Sequence, residues 1–130
     1  MRTRQYRDLL VWQKSMRLVE AVYQATRHFP KDEMFGLTGQ MRRAAVSVPS
    51  NIAEGQGRES VKSFAQFLAQ AQGSLFELEA QAELARNLGM MPPESLAGLL
   101  EDTMEIGRML HGLRSALRRN GNQAAVPAAP

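Results

Sequence analysis

Apolar residues recur along this chain at alternating steps of four and three, the spacing that places side chains on one face of an α-helix. The first such run starts at Leu9 and predicts a helix that ends before Pro30. The apolar face predicted for this helix is formed by Trp12, Met16, Val19, Tyr23 and Thr26.

A second run predicts a helix whose apolar face is formed by Leu37, Met41, Ala45, Val48 and Ile52. Asp32, in the turn before it, is a plausible cap. Pro49 lies inside the helix and predicts a kink, because proline has no N–H and its ring clashes with the carbonyl four residues earlier. Gly55 is predicted to end the helix in a left-handed conformation, and Gly57 to ease the reversal that follows.

Two longer runs keep a seven-residue spacing. The third helix is predicted to begin at an N-cap, Ser60 or Ser63, and to continue to about Leu88. The fourth follows Gly89, with a Pro-Pro pair in its first turn, and ends near residue 119. The predicted core positions of these two helices are Phe64, Leu68, Ala71, Leu75, Leu78, Ala82, Ala85, Leu96, Leu99, Thr103, Ile106, Leu110, Leu113 and Leu117.

No segment alternates apolar and polar residues in the manner of a strand, so the fold class is predicted to be all-α. Four helices with short connections favour an antiparallel up-down four-helix bundle over residues 1–119. The tail, residues 120–130, is uncharged and has only one sizeable apolar residue, Val126, so it is predicted to be disordered.

The third and fourth helices carry more apolar residues than one core needs. A second strip is formed by Phe76, Ala80, Leu84, Leu100 and Met104, next to Gly107. One interpretation is a wide core face with scattered apolar atoms at the surface. The other is an interface with further copies of the chain, since a bundle buries only one face of each helix.

Composition narrows the functional classes. The chain has no cysteine, which excludes disulfides and thiolate metal sites and favours a reducing compartment, the cytoplasm. Its N-terminus is charged throughout, and no window approaches the roughly 18 apolar residues of a membrane span, so no membrane partner is expected.

Charge is distributed unevenly along the chain. Residues 1–62 hold 11 Lys and Arg against 6 Asp and Glu, a balance of +5, whereas residues 63–130 hold 5 against 7, a balance of −2. Such a split favours either a basic face for nucleic acid or charge pairing between halves or subunits. The candidate phosphate contacts are Arg2, Arg4, Arg7, Lys14, Arg42, Arg43, Arg58 and Lys62.

No catalytic, metal or cofactor site is predicted. A di-iron bundle needs Glu-x-x-His pairs, but Ala25 precedes His28 and Arg108 precedes His111 at that spacing. No Gly-x-Ser-x-Gly elbow occurs, and the Gly55–Gly57 stretch lacks the strand and third glycine of a dinucleotide-binding loop.

The acidic residues of the third and fourth helices are expected to be solvated or ion-paired rather than catalytic. Glu83 with Arg86, and Glu105 with Arg108, stand at the three-residue spacing that brings opposite charges together on a helix. Pairing with the arginines of a neighbouring molecule is the alternative.

Three stretches carry a family resemblance: YRDLLVWQKSMRLVEAVYQAT, FPKDEMFGLTGQMRRAAVSVPSNIAEGQGR and FAQFLAQAQGSLFELEAQAELARNLG. Over about residues 6–119 the chain resembles the four-helix bundle proteins first noticed as open reading frames in intervening sequences of bacterial 23S ribosomal RNA. The most specific part of the resemblance is the run QMRRAAVSVPSNIAEG.

This resemblance implies a left-handed up-down bundle that assembles into a homopentameric ring and has no catalytic residues. A related branch, the accessory variability determinant of diversity-generating retroelements, forms a basic pentamer that binds nucleic acid and a reverse transcriptase. This chain departs from that branch in being only mildly basic, with a net charge of +3.

Two functional hypotheses follow. The first is a non-enzymatic ring that binds RNA or DNA by charge, because Trp12, Tyr23, Phe64 and Phe67 are assigned to the core and few aromatic residues remain for base stacking. The second is a protein-interaction scaffold, or an accessory subunit for a partner such as a reverse transcriptase, that does not bind nucleic acid itself.

Overall fold

A computed structural model of the chain describes residues 5–121, which are helical apart from short connections. The four main helices are α1 (Leu10–Thr26), α2 (Leu37–Gln56), α3 (Val61–Asn87) and α4 (Pro93–Gly121). Two short 3₁₀ segments, Tyr6–Asp8 and Lys31–Glu33, precede α1 and α2. No strand occurs in this range, which confirms the all-α class with four helices.

Each main helix packs against two of the others, in the cycle α1 with α2, α2 with α3, α3 with α4 and α4 with α1. Across the part of the chain that the structure describes, α1 does not approach α3 and α2 does not approach α4. This arrangement fits a four-helix bundle around a single core. α4 runs to Gly121, past the end predicted near Arg119, and the rest of the predicted tail, residues 122–130, lies outside the described residues.

The core face of α1 differs from the prediction by about one residue. The buried positions are Val11, Ser15, Leu18, Val22 and Thr26. The predicted positions Met16 and Tyr23 are instead 39% and 41% exposed. Ser15 is accommodated in the core because its hydroxyl donates to the Val11 carbonyl oxygen at 2.7 Å. Ser15, a polar residue, is therefore buried in the core, although the apolar pattern assigns its position to the surface.

The start of α2 is stabilised by a different carboxylate from the one predicted. Asp32 lies in the second 3₁₀ segment, and Gly36 is the residue that precedes α2. The backbone N–H of Leu37 donates to Oε1 of Glu33 at 3.0 Å. Glu33 therefore satisfies one of the free amides at the helix N-terminus and places a negative charge there, where the helix dipole favours it.

Pro49 is buried inside α2, as the sequence predicts, and polar groups surround it on the helix. The Asn51 side chain donates to the Ser47 carbonyl oxygen at 2.8 Å and to the Ser47 hydroxyl at 2.9 Å. The Ser47 hydroxyl also lies 2.8 Å from that of Ser74 on α3. These side-chain bonds tie the proline-containing segment to the neighbouring helix.

The end of α2 corrects the prediction for Gly55. α2 continues through Gly55 to Gln56, and the only residue with a left-handed backbone among residues 5–121 is Gly89, with φ 77°. Gly55 is buried because α3 passes close to it, not because it terminates the helix. Gly57 follows with an ordinary right-handed conformation, φ −78°.

The N-terminus of α3 follows the prediction closely. Ser60 is the N-cap, and its hydroxyl oxygen accepts a hydrogen bond from the backbone N–H of Ser63 at 2.9 Å. The predicted core positions of α3 and α4 are buried, except that Phe64 and Leu113 are half-buried at the edge of the core. The heptad spacing is sufficient to identify the inward faces of both long helices.

Candidate nucleic-acid interface

The predicted cations differ in their environments. Arg2 and Arg4 lie outside the described residues. Arg7 is in the first 3₁₀ segment, Lys14 in α1, Arg42 and Arg43 in α2, Arg58 in the connection after α2, and Lys62 in the first turn of α3. The six described cations are therefore spread over the molecule rather than gathered in one cluster.

Two of these cations are ion-paired. Lys14 Nζ lies 3.2 Å from Glu105 Oε2, joining α1 to α4, and Arg58 Nη2 lies 2.8 Å from Glu54 Oε2. The Arg58 guanidinium also stands over the Phe67 ring, 4.8 Å from its centroid. The paired groups are partly exposed, so each pair adds little to stability but reduces the charge offered to a ligand.

Two further arginines, Arg42 and Arg7, also contact aromatic rings. Arg42 is half-buried, donates from Nε to the Thr26 hydroxyl at 2.9 Å, and stacks on Tyr23 with Cζ 4.5 Å from the ring centroid. Tyr23, predicted to be a core residue, instead provides an outer platform for this guanidinium. Arg7 lies 4.7 Å from the Tyr6 ring centroid and is exposed. The contacts of Arg42 are those of a structural residue.

Arg43 and Lys62 have the environment expected of a ligand-binding cation. Both are exposed, and within residues 5–121 neither forms an ion pair. The Arg43 guanidinium folds along α2, with Nη1 only 3.2 Å from the place where a Cβ on Gly39 would stand. Both side chains are thus free to contact a phosphate or a carboxylate.

Three arginines near the end of α4 were missed by the sequence reasoning. Arg118 and Arg119 are exposed in the last turn. Arg114 donates from Nη1 to Gln72 Oε1 at 3.0 Å, and Gln72 in turn donates to the Gly107 carbonyl oxygen at 3.2 Å. The signal was present in the run RSALRR, but the acidic balance of the whole second half concealed it.

The second apolar strip lies at the surface of α3 and α4. Phe76, Leu84 and Met104 are 63%, 48% and 56% exposed, Ala80 is exposed, and Leu100 packs partly against the core. Between the two helices lies a groove of about 600 Å³ whose lining includes Leu75, Phe76, Met104 and Gly107. Residues 5–121 therefore leave the strip exposed.

The acidic side chains of α3 and α4 do not pair as predicted. Within the described part of the chain, neither the Glu83–Arg86 nor the Glu105–Arg108 pair forms: Glu105 contacts Lys14, and Arg86 donates to Asn87. Partial burial, followed by the nearby charges of Glu105 and Glu101, raises the pKa of the exposed Asp102 carboxyl, and Lys14 opposes the rise. These groups form a local excess of negative charge on α4.

Within residues 5–121 there is neither a candidate metal site nor a candidate membrane span. No group of three or more His, Cys, Asp or Glu side chains is arranged to hold a metal ion. None of the helices in this range combines the length and apolar character needed to cross a membrane.

The sequence model of the 23S rRNA-intervening sequence protein family matches residues 7–112 of this chain. The chain belongs to that family. The match covers α1, α2 and α3 completely and α4 as far as residue 112, and it includes both connections at the ends of the proline-containing α2. No curated protein matches the chain significantly.

A solved structure supports the fold assignment of this 23S rRNA-intervening sequence protein. It is the crystal structure of a protein of unknown function from the S23 ribosomal protein family of Bacteroides thetaiotaomicron. It superposes with a TM-score of 0.73 at 22% sequence identity, covering 81% of this chain and 98% of the other. At that identity the similarity concerns the fold alone.

Proposed function

We propose that this protein is a non-enzymatic, oligomeric four-helix bundle that binds RNA or DNA through exposed cations at one end of the bundle. The observation that carries the proposal is a concentration of Arg and Lys on the segments that an antiparallel up-down chain path brings to that end.

Contacts between neighbouring helices support the antiparallel path. On α2 and α3, Ser47 meets Ser74, whereas Gly55 meets Phe67. On α3 and α4, Thr103 donates to Glu79, whereas Arg114 reaches back to Gln72. In both pairs of helices the residue numbers rise on one partner as they fall on the other, the order that antiparallel helices produce.

On this path the first 3₁₀ segment, the α2–α3 connection and the last turns of α4 share one end of the bundle, here called the basic end. Residues 6–8, 54–62 and 114–121 together hold six Arg and Lys against three Asp and Glu. At the opposite end, residues 27–33 and 84–94 hold three against three. Exposed cations in excess at one end supply the sequence-independent attraction that phosphate backbones need.

Assembly would strengthen this weak charge. We propose the homopentameric ring that the family resemblance implies, and the exposed strip on α3 and α4 supports an oligomer because a single bundle leaves it uncovered. Five basic ends contacting one nucleic acid would bind far more tightly than one. Sedimentation equilibrium should give five times the 14.5 kDa mass of the chain, and a monomer at micromolar concentration would contradict the ring.

Fluorescence anisotropy with labelled duplex and single-stranded RNA and DNA tests the binding directly. We expect binding that weakens by at least tenfold between about 50 and 200 mM salt, because phosphate contacts release counterions. Lys62→Glu combined with Arg118→Glu should abolish it. The matched control, Arg27→Glu with Lys31→Glu, reverses two exposed cations at the opposite end and should bind like the wild type.

Two outcomes would reject nucleic-acid binding as proposed. One is an absence of binding at about 50 mM salt. The other is binding that the control variant loses as completely as the basic-end variant, since the location of the charge would then be irrelevant.

A second function, a protein-interaction scaffold in the cytoplasm, is favoured by one observation. Phe35 is 97% exposed and stands next to Met34, which is 48% exposed, at the turn before α2. A protein partner such as a reverse transcriptase would cover these side chains. Its retention on the immobilised protein after nuclease treatment would favour this function, and its release by nuclease would favour the first.

A further inference from the structure

A row of exposed side chains lies along the outer side of α2. Phe35 is almost fully exposed directly before the helix, Val46 is 40% exposed within it, and Arg43 between them is exposed and forms no ion pair in residues 5–121. Their spacing places them on the side of α2 that faces away from the core. We call Phe35, Arg43 and Val46 the α2 outer face.

The strip on α3 and α4 has complementary properties. Phe76 and Met104, two of its exposed members, border a groove that has the small residue Gly107 in its lining, and the exposed Leu84 continues the strip along α3. A Cβ on Gly107 would lie 3.8 Å and 3.9 Å from its nearest neighbours, which is ordinary contact. Local packing therefore does not require a glycine at this position, and its missing side chain leaves the groove open. The groove, at about 600 Å³, has room for large apolar side chains.

The charged residues beside the strip indicate which surface of another copy it can pack against. Carboxylates outnumber cations beside the strip: Glu77, Glu79 and Glu83 stand on α3 and Glu101 on α4, against Arg108, which lines the groove. Asp102 and Glu105 lie beside Lys14 of α1 instead. Packing the strip on its own copy across a two-fold axis would bring these like charges together. The α2 outer face contributes the unpaired Arg43 and belongs to the half of the chain with a balance of +5.

We propose that the α2 outer face of one copy packs on the α3/α4 strip of the next copy in a head-to-tail contact. This inference rests on the proposed oligomeric ring and specifies how the ring is built. A head-to-tail contact uses two different surfaces of each subunit, so it closes into a ring when the rotation between copies permits. It also assigns Arg43 to the subunit contact instead of to nucleic acid.

The heights of the two surfaces along the bundle agree. The Ser47–Ser74 contact fixes the level of α2 relative to α3 within one subunit. Counting from it in opposite directions puts Val46 level with Leu75, next to Phe76, Arg43 level with Leu78, next to Glu77, and Phe35 level with Arg86, between Leu84 and Leu88. When the bundles stand along the ring axis, rotation about that axis keeps each residue at its height. The apolar and charged residues of adjacent copies therefore face each other in register.

Disulfide cross-linking tests the register, because the chain has no cysteine of its own. Val46→Cys and Phe76→Cys are made in separate chains, mixed under dissociating conditions, reassembled and oxidised. A cross-linked pair containing one chain of each kind is expected, whereas neither variant alone should cross-link. The matched control replaces Phe76→Cys by Leu88→Cys, an exposed position directly after α3 that lies about 18 Å further along the helix axis and is too distant for a disulfide.

A second measurement removes the most exposed side chain. Phe35→Ala should weaken assembly at least about thirtyfold in sedimentation, because it removes a large, almost fully exposed aromatic side chain that the contact would bury. Leu10→Ala, which truncates a side chain that is 54% exposed away from the α2 outer face, should assemble like the wild type. Circular dichroism and urea unfolding of both variants confirm that each subunit is folded.

The outcomes separate the inference from the function on which it rests. A wild-type protein that sediments as a monomer rejects the ring and the inference together. A wild-type ring that gives no Val46–Phe76 cross-link, or that assembles unchanged with Phe35→Ala, rejects the inference alone and assigns the contact to another surface. Cross-linking in the expected pair but not in the control supports it.

Discussion

Gly55 of α2 lies so close to Phe67 of α3 that a methyl group on the glycine would stand 2.7 Å from the Cβ of Phe67. The same methyl group would stand 2.9 Å from Cδ1 of Phe64. Glycine in a helix interior costs roughly 0.5–1 kcal/mol relative to alanine. Here that cost is accepted because only a residue without a side chain lets the two helices approach at this level.

Gly55→Ala should lower the free energy of unfolding by about 1–3 kcal/mol, because the added methyl group must displace two aromatic side chains in a packed region. Urea denaturation at fixed protein concentration measures the change. Gly98→Ala is the matched control: it lies in α4 with no atom within 4 Å of the added carbon and should be stabilising by about 0.5–1 kcal/mol. Equal effects at the two sites would disprove the close approach.

Ser60→Ala should destabilise the protein by about 1 kcal/mol, because it removes the oxygen that accepts from the Ser63 amide at the start of α3. Thermal and urea unfolding would report the loss. Ser95→Ala, an exposed serine near the start of α4, serves as the comparison and should change stability by less than about 0.5 kcal/mol. A silent Ser60→Ala substitution would mean that water replaces the cap without cost.

Arg42→Lys should cost about 1 kcal/mol of stability, although it keeps the charge. Lysine cannot reproduce both the bond from Nε to Thr26 and the stacking on Tyr23. Arg43→Lys, one residue further along, should leave the free energy of unfolding almost unchanged because that side chain is exposed and unpaired in residues 5–121. The prediction fails if the two substitutions are equally mild.

Asp102→Asn should slightly stabilise the protein near pH 7, by less than about 0.5 kcal/mol because the group is exposed. The folded protein raises the pKa of this carboxyl above 3.8 through partial burial and repulsion from Glu105 and Glu101. A raised pKa means that the folded state holds the proton more tightly. The wild-type aspartate therefore loses stability as pH rises from 3.8 through the folded pKa.

The asparagine variant should gain relative to wild type across that same interval and lose its advantage below it. Urea unfolding at several pH values between about 3 and 7 would show this. Glu94→Gln, at the start of α4 and away from the acidic cluster, provides the comparison. An advantage for Asp102→Asn that is independent of pH would contradict the assigned cause.

The inward faces of α2, α3 and α4 could be predicted from the sequence because their core positions are apolar at regular spacing. α1 departs from this regularity. The hydroxyl of the buried Ser15 is hydrogen-bonded within the helix, and Tyr23 lies at the surface, where the Arg42 guanidinium stacks on its ring. Periodicity depends only on the polarity of the residues, so it placed the predicted core face of α1 about one residue away from the observed one. Likewise, the sequence assigned Gly55 to a helix end, because its close contact with Phe67 exists only after α2 and α3 have packed together.

The candidate site was less predictable than the core. Counting charges by halves of the chain identified Lys62 but also included Lys14, whose charge is used in the contact with Glu105. It omitted Arg118 and Arg119, which join the basic end only through the proposed path of α4. A charge becomes part of a site through its partners and its position in the fold, and sequence reveals neither directly.

The cycle of helix contacts has a consequence for folding. Three of the four helix pairs join consecutive helices, whereas the fourth, α1 with α4, joins helices at opposite ends of the sequence through contacts such as Lys14–Glu105. Bringing α1 and α4 together closes the longest loop and has the largest entropy cost, so this step is expected to be the slowest, whereas consecutive helices pair quickly. We therefore expect the three consecutive helix pairs to form first, and the contact between α1 and α4 to form last and to open first in native-state hydrogen exchange.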